Sequence, residues 1–166
     1  ELDRAARYKR SVSVLMIGPC VEPTELARVS ALLSQEYPAV VQYIQSIIRT
    51  MDLLAHFGKY ELELLLPETD QEAAMKLAQR ISSEAQFSKD IAISVGVANF
   101  PADGNSADII IERSRQALKQ ARSSSSDSQV AKHEEEPRRV MLTGQKEIIV
   151  RSEKMKELFD VIDRIA

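Results

Sequence analysis

The chain of 166 residues has a single cysteine, Cys20, and only two histidines, His56 and His133. One thiol excludes an internal disulfide and any multi-cysteine zinc site, and two distant imidazoles do not suggest a metal cluster. No apolar run approaches the roughly 20 residues that a membrane-spanning helix requires, so no membrane contact is expected and the expected location is cytoplasmic. Positive charge is not in excess either: 22 Lys and Arg stand against 25 Asp and Glu, for a net charge of −3 and a pI near 5.5. A nucleic-acid surface normally carries a basic stripe that gathers phosphates, and none is visible, which argues against direct nucleic-acid binding. The sequence lacks an initiating methionine and reads as helix at both ends, so it is expected to be a piece of a longer protein.

What is present is the composition of a globular protein, 44% hydrophobic and 28% charged, in a length that suits one ordinary domain plus an appendage. Ser11-Val-Ser-Val-Leu-Met-Ile17 is a β-branched apolar run stopped by Gly18-Pro19, which predicts a buried first strand. Pro23-Thr24-Glu25 opens a helix with Thr24 as N-cap, and Tyr37-Pro38 is expected to end it. A second helix then runs from Pro38 to about Arg49, with Val41, Ile44, Ile47 and Ile48 on its apolar side.

The next stretch organises the chain. Leu53 to Phe57 and Leu62 to Leu66 are apolar runs of strand length, and Gly58-Lys59 between them predicts a two-residue type II′ hairpin with positive φ at the glycine. Thr69-Asp70-Gln71-Glu72 starts a helix with acidic residues where the macrodipole favours them, reaching about Phe87. Ile91 to Ala98 is a near-continuous apolar strand, of the kind covered on both faces, and Ala107 to Arg122 is a further amphipathic helix. The order β-α-α-β-β-α-β-α implies an α/β fold, a ferredoxin-like mixed sheet flanked by helices. Ser123 to Pro137 is polar and charged and opens a linker. Beyond it, Val140 to Leu142 and Ile148 to Val150 suit short strands, and Ser152 begins a helix with an apolar stripe through Met155, Leu158, Phe159, Ile162 and Ile165. The expected domains are 1–122, a linker over 123–147, and a fragment of a further domain over 148–166.

Arg7-Tyr8-Lys9-Arg10 before the first strand, the hairpin of Asp52 to Pro67, the Ile93-Ser-Val-Gly-Val97 strand and the closing helix together resemble a GGDEF domain, from Glu1 to about Arg122. That family comprises the diguanylate cyclases, and the resemblance implies a palm-like, nucleotide-cyclase fold. The family's hairpin tip reads Gly-Gly-Asp/Glu-Glu-Phe, and the matching positions here are Gly58, Lys59, Tyr60, Glu61 and Leu62. The family's metal-binding aspartate ends the first strand, where this chain has Gly18, and the acidic position two residues on is Cys20. Two-metal phosphoryl transfer needs several carboxylates, which one glutamate does not supply. The Lys59 side chain would obstruct a position where backbone should approach the nucleotide. The family's basic residue near the end of the last helix, which helps to hold phosphate, is matched by Arg122. On these departures the resemblance implies a degenerate domain that is not an enzyme by itself, with no catalytic residues, metal or cofactor. A divergent cyclase would need carboxylates at the end of the first strand.

The resemblance also implies an effector site. Many GGDEF domains bind cyclic di-GMP through an Arg-x-x-Asp motif before the hairpin, and Arg49 and Asp52 stand at that spacing from Gly58, with Arg80 on the next helix as the second arginine. Arginine's planar fork suits phosphate and guanine, and a carboxylate can accept from the guanine edge. The plainer reading makes Arg49 and Asp52 a helix-end cap or ion pair, Arg80 a solvated side chain, His56 and Cys20 structural residues, and Glu61 a solvated remnant. Finally, Glu147 to Ala166, with Ser152 and Met155, resembles the entry segment of AAA+ activators that work with the sigma-54 form of RNA polymerase, although Val150 replaces a glycine. The two resemblances imply a homodimeric regulatory domain acting on a downstream AAA+ domain of the same chain, or, alternatively, a cyclic di-GMP receptor.

Overall fold

A computed structural model of the chain describes residues 5, 7–8, 10–21, 24–85, 91–123, 130–132, 138–142 and 146–150. It divides into two compact units, Glu1–His133 and Glu134–Ala166.

The first unit is built on a five-stranded mixed sheet in the order β2-β3-β1-β4-β5. β1 (Val12–Pro19) lies antiparallel between β3 (Leu62–Pro67) and β4 (Ile93–Phe100), and β2 (Leu53–His56) is antiparallel to β3. β5 (Val130–Lys132) adds parallel to β4, so part of the stretch expected to be a linker belongs to the sheet. The helices α1 (Leu26–Ile47), α2 (Gln71–Glu84) and α3 (Ala107–Ser123) pack on it. The α/β mixed sheet flanked by helices is the expected fold class.

Strand alternation sorts the core into two layers. Leu15, Ile17, Leu62, Leu64, Leu66, Val95 and Val97 pack with Leu33, Val40 and Ile44 of α1 and Ala74, Ala78 and Ile81 of α2. Val12, Val14, Ala98 and Phe100 form a second cluster with Ile110 of α3. β1 and β4 are buried along their whole length, as their continuous apolar runs require. At Gly96 the α3 backbone comes so close that a Cβ would overlap Leu118 N and Ser114 O and would lie 2.8 Å from Ala117 C.

Two local expectations change. The two helices expected around Pro38 are one, because α1 carries the proline inside it. An interior proline costs about 3 kcal/mol, whereas each fully buried aliphatic side chain contributes about 1.5–3 kcal/mol. Leu33, Val40 and Ile44, one on the N-terminal side of Pro38 and two beyond it, outweigh the break. The N-cap is Glu25 without a side-chain cap bond, in place of Thr24. The hairpin is also wider than a two-residue turn: β2 ends at His56, β3 resumes at Leu62, and Phe57 N–H and Gly58 N–H both donate to Glu61 O, at 2.9 and 3.3 Å. Gly58 is not among the residues with positive φ. The α2 start is as read, with Asp70 accepting from Ala73 N–H at 2.8 Å.

The second unit contains an antiparallel pair, β6 (Arg138–Leu142) and β7 (Lys146–Val150), with Arg138 opposite Val150. The helix expected from Ser152 lies outside the described residues.

Candidate functional site

The register of β1 and β3 sets the site. Ile17 pairs with Leu62, so the hairpin tip stands beside Gly18, Pro19 and Cys20 at the end of β1. Because successive residues face opposite sides, the tip divides its side chains: Tyr60 turns to the α1 side and Glu61 to the α3 side.

On the α1 side Tyr60 is buried, 4% exposed, with its hydroxyl donating to Ser30 O at 2.9 Å and lying 2.6 Å from Ser34 Oγ and 2.9 Å from Ser30 Oγ. The Ser30 bond, then the Ser34 bond, and lastly Lys59 hold the phenol below its ordinary pKa, against the opposing effect of burial. Lys59 is drawn the same way: its Nζ donates to Ser30 Oγ at 2.9 Å and lies 5.2 Å from the centre of the Tyr60 ring. Tyr37 bridges to His56, hydroxyl to Nδ1, at 2.8 Å. Burial, and then the charge of Glu61, raise the Tyr37 pKa. This half of the tip is a packed polar seam with the first turns of α1.

On the α3 side Glu61 is no solvated remnant. Its Oε1 lies 2.8 Å from Arg122 Nη2, and the two side chains are only 26% and 13% exposed. Arg122 Nε donates to Pro19 O at 3.0 Å, while Nη2 has no aligned hydrogen-bond acceptor, so its contact with Glu61 is an ion pair only. Gly18 makes room for this arrangement, since a Cβ there would overlap Arg122 Nη2. Beside the pair opens a cavity of about 380 Å³ that Arg115, Lys119, Glu112 and Gln116 also line. Arg115 stacks over the Phe57 ring at 5.1 Å and lies 3.6 Å from Glu112. Three cations against two carboxylates leave one net positive charge around an opening that suits a phosphate.

The sequence reading marked Gly18, Cys20 and the tip, and the fold does bring them together with Arg122. It missed Arg115 and Lys119, although Arg115, Lys119 and Arg122 follow the i, i+4, i+7 spacing of one helix face. It also missed Ser30 and Ser34, whose i, i+4 pairing on α1 was the available signal. Cys20 contributes only its backbone N–H, to Ala92 O at 2.8 Å.

The residues do not suit the divalent metal that the family resemblance implies. Gly18 and Cys20 stand at the acidic positions that end the first strand in the family, Glu61 is committed to Arg122, and the described residues hold no group of three His, Cys, Asp or Glu side chains that could bind a metal ion.

The Arg49, Asp52 and Arg80 positions lie apart from this cavity's lining. Asp52 is buried and its Oδ2 accepts the Arg49 backbone N–H at 2.7 Å, which is a turn cap; Oδ1 has no hydrogen-bond partner. Arg80 Nε pairs with Glu84 at 3.2 Å, and Glu84 also accepts from the Tyr43 hydroxyl at 2.5 Å. Those two bonds, Tyr43 first, lower the Glu84 pKa, and Glu84 raises that of Arg80. Among the described residues no hydrogen bond or ion pair joins Arg80 to Arg49 or Asp52.

Comparison with known proteins places this geometry. A family model described as "Diguanylate cyclase, GGDEF domain" matches residues 38–128, more than half of the chain. The chain is 32% identical over 87 residues to diguanylate cyclase A of Treponema denticola, which is 48% of this chain and 24% of that protein. The chain thus spans about a quarter of that relative's length. The fold is similar to that of a GGDEF domain from Pseudomonas aeruginosa (TM-score 0.69, 19% identity, 80% of this chain and 88% of that one). It is also similar to the active GGEEF domain of a diguanylate cyclase from Vibrio cholerae (TM-score 0.62, 23% identity, 80% and 89%). These findings overturn the expectation that the chain is not an enzyme: the matching family model is that of diguanylate cyclases, and both the curated relative and the Vibrio neighbour are such enzymes. That expectation rested on the hairpin tip and the end of β1, whereas the family match extends over residues 38–128. By the extent of that match, the chain belongs to the GGDEF family of diguanylate cyclase domains.

Proposed function

We propose that this GGDEF domain engages the phosphates of a guanine nucleotide in the cavity between the hairpin tip and α3, and that it serves as a regulatory domain in cyclic di-GMP signalling. The observation that carries this reading is the convergence of Arg115, Lys119 and Arg122 on one cavity beside the end of β1, with one net positive charge. Arginine and lysine together give bidentate and point-charge recognition of phosphate oxygens. In this reading the domain, as a homodimer, passes its nucleotide state to an attached AAA+ transcription activator of the sigma-54-dependent kind, the class that Glu147 to Ala166 resembles.

Calorimetric titration of the chain with GTP tests the binding step. Saturable binding that Lys119→Glu abolishes supports it, and the absence of heat at millimolar GTP overturns it. Cyclic di-GMP formation, followed by chromatography in the same samples, reports whether binding leads to turnover.

A second reading, reception of cyclic di-GMP through Arg49, Asp52 and Arg80, is favoured by one feature: the buried Asp52 Oδ1 lacks a partner that a guanine N–H would provide. Cyclic di-GMP binding lost in Arg49→Ala and kept in Lys119→Glu supports that site, and the reverse pattern rejects it.

A further inference from the structure

The strongest anomaly of the site is a cation that belongs to the protein. Glu61 reaches toward the end of β1 as though to share a ligand with it, yet what stands between them is the guanidinium of Arg122. Three features hold it there. Pro19 O accepts from Nε at 3.0 Å, Glu61 balances its charge at 2.8 Å, and Gly18 presents no side chain to the space that Nη2 fills. Nη2 is buried and keeps hydrogen-bonding capacity in reserve, because its contact with Glu61 lacks hydrogen-bond alignment. The Arg122 side chain also lines the adjoining cavity, where a phosphate would meet its guanidinium.

We propose that Arg122 supplies the fixed positive charge of this site in place of a divalent cation, so that a phosphate-bearing ligand binds here without metal. The inference rests on the nucleotide-binding reading for the ligand, and on this chain's own donor set for the exclusion of metal. A divalent ion of the Mg²⁺ type needs oxygen ligands in near-octahedral array. Here both carboxylates that line the cavity already face a guanidinium, Glu61 that of Arg122 and Glu112 that of Arg115, and a second cation beside Nη2 would meet like-charge repulsion. Gly18 is then the residue that decides the exchange: a carboxylate at that position could not coexist with Arg122 in its present place.

Two measurements on the full chain test this. The first uses Mn²⁺ alone, with paramagnetic broadening of the Gly18 and Glu61 amide signals as the readout. The native chain should show no selective broadening at stoichiometric Mn²⁺, and the double variant Gly18→Asp with Arg122→Gln should show it. Selective broadening in the native chain would overturn the proposal. The second is calorimetry with GTP in EDTA and in Mg²⁺. Affinity should agree within about twofold between the two buffers and fall at least about tenfold in Arg122→Gln, as expected when one partner of a desolvated charge contact is truncated. GTP binding that requires Mg²⁺ would also overturn it. If no GTP binds in either buffer, the nucleotide reading fails, while the Mn²⁺ experiment on the native chain still decides whether Arg122 has replaced the metal.

Discussion

Replacing Gly96 by alanine tests how α3, and with it the cationic side of the site, is seated on the sheet. The new methyl would overlap Leu118 N and Ser114 O and sit 2.8 Å from Ala117 C, all backbone atoms of a helix fixed by the buried Ile110, Ala117, Leu118 and Ala121. No side-chain rotation relieves this, so the helix itself has to move. Overpacking of this kind costs about 1–3 kcal/mol, and rigid backbone puts the site at the upper end. The unfolded chain loses freedom when glycine becomes alanine, which returns about 0.4–1 kcal/mol. The net loss should be about 2 kcal/mol, or a fall in Tm of roughly 8 °C for a domain of this size. Urea unfolding followed by far-ultraviolet circular dichroism measures it, with the m-value unchanged. Gly58→Ala is the internal control. There the three atoms nearest to a Cβ all belong to the Glu61 side chain, at 3.4 Å or more, and φ is not positive, so the change should be within about 0.5 kcal/mol of neutral. The reasoning is refuted if Gly96→Ala is as stable as the parent, or if Gly58→Ala proves the worse of the two.

Two further outcomes are expected. Tyr60→Phe should lower the urea midpoint by removing the hydroxyl bonded to Ser30 and Ser34, and Tyr60→Ala should lower it further by emptying a place in the α1 core; equal midpoints for all three proteins would place Tyr60 outside the packing. Burial raises the pKa of Glu63 above 4.5, so the folded state binds that proton more readily than the unfolded state. Its contribution is present below pH 4.5 and is lost as pH rises through the raised value, so Glu63→Gln should gain stability at pH 7 and little at pH 4. A gain of the same size at both pH values would contradict this.

Sequence by itself determined the elements whose signals are local and repeated. The apolar runs of β1 and β4, the acidic start of α2 and the periodicity of α3 each depend on residues a few positions apart, so they could be read without the fold. The order of those elements carried the family as well. Local signals failed where distant packing outweighed them. Pro38 marks a break that burial on both sides of it overrides, and Gly58 suggested a tight turn that the Glu61 carbonyl instead widens. Val130–Lys132 lies in a polar stretch and becomes a strand only because the edge of β4 offers hydrogen bonds.

The site shows the same division. Gly18, Lys59, Tyr60 and Glu61 could be picked out as departures from a motif, but not what each of them touches. Only the tertiary structure decided that Tyr60 and Glu61, adjacent in sequence, serve opposite faces of the sheet. It also decided that Arg122, 61 positions beyond Glu61 in the chain, is its partner. The physical reason is that a charge contact between distant elements depends on strand register and on how closely a helix can approach a sheet. Here that approach is set by Gly96, and no local pattern in the sequence records it.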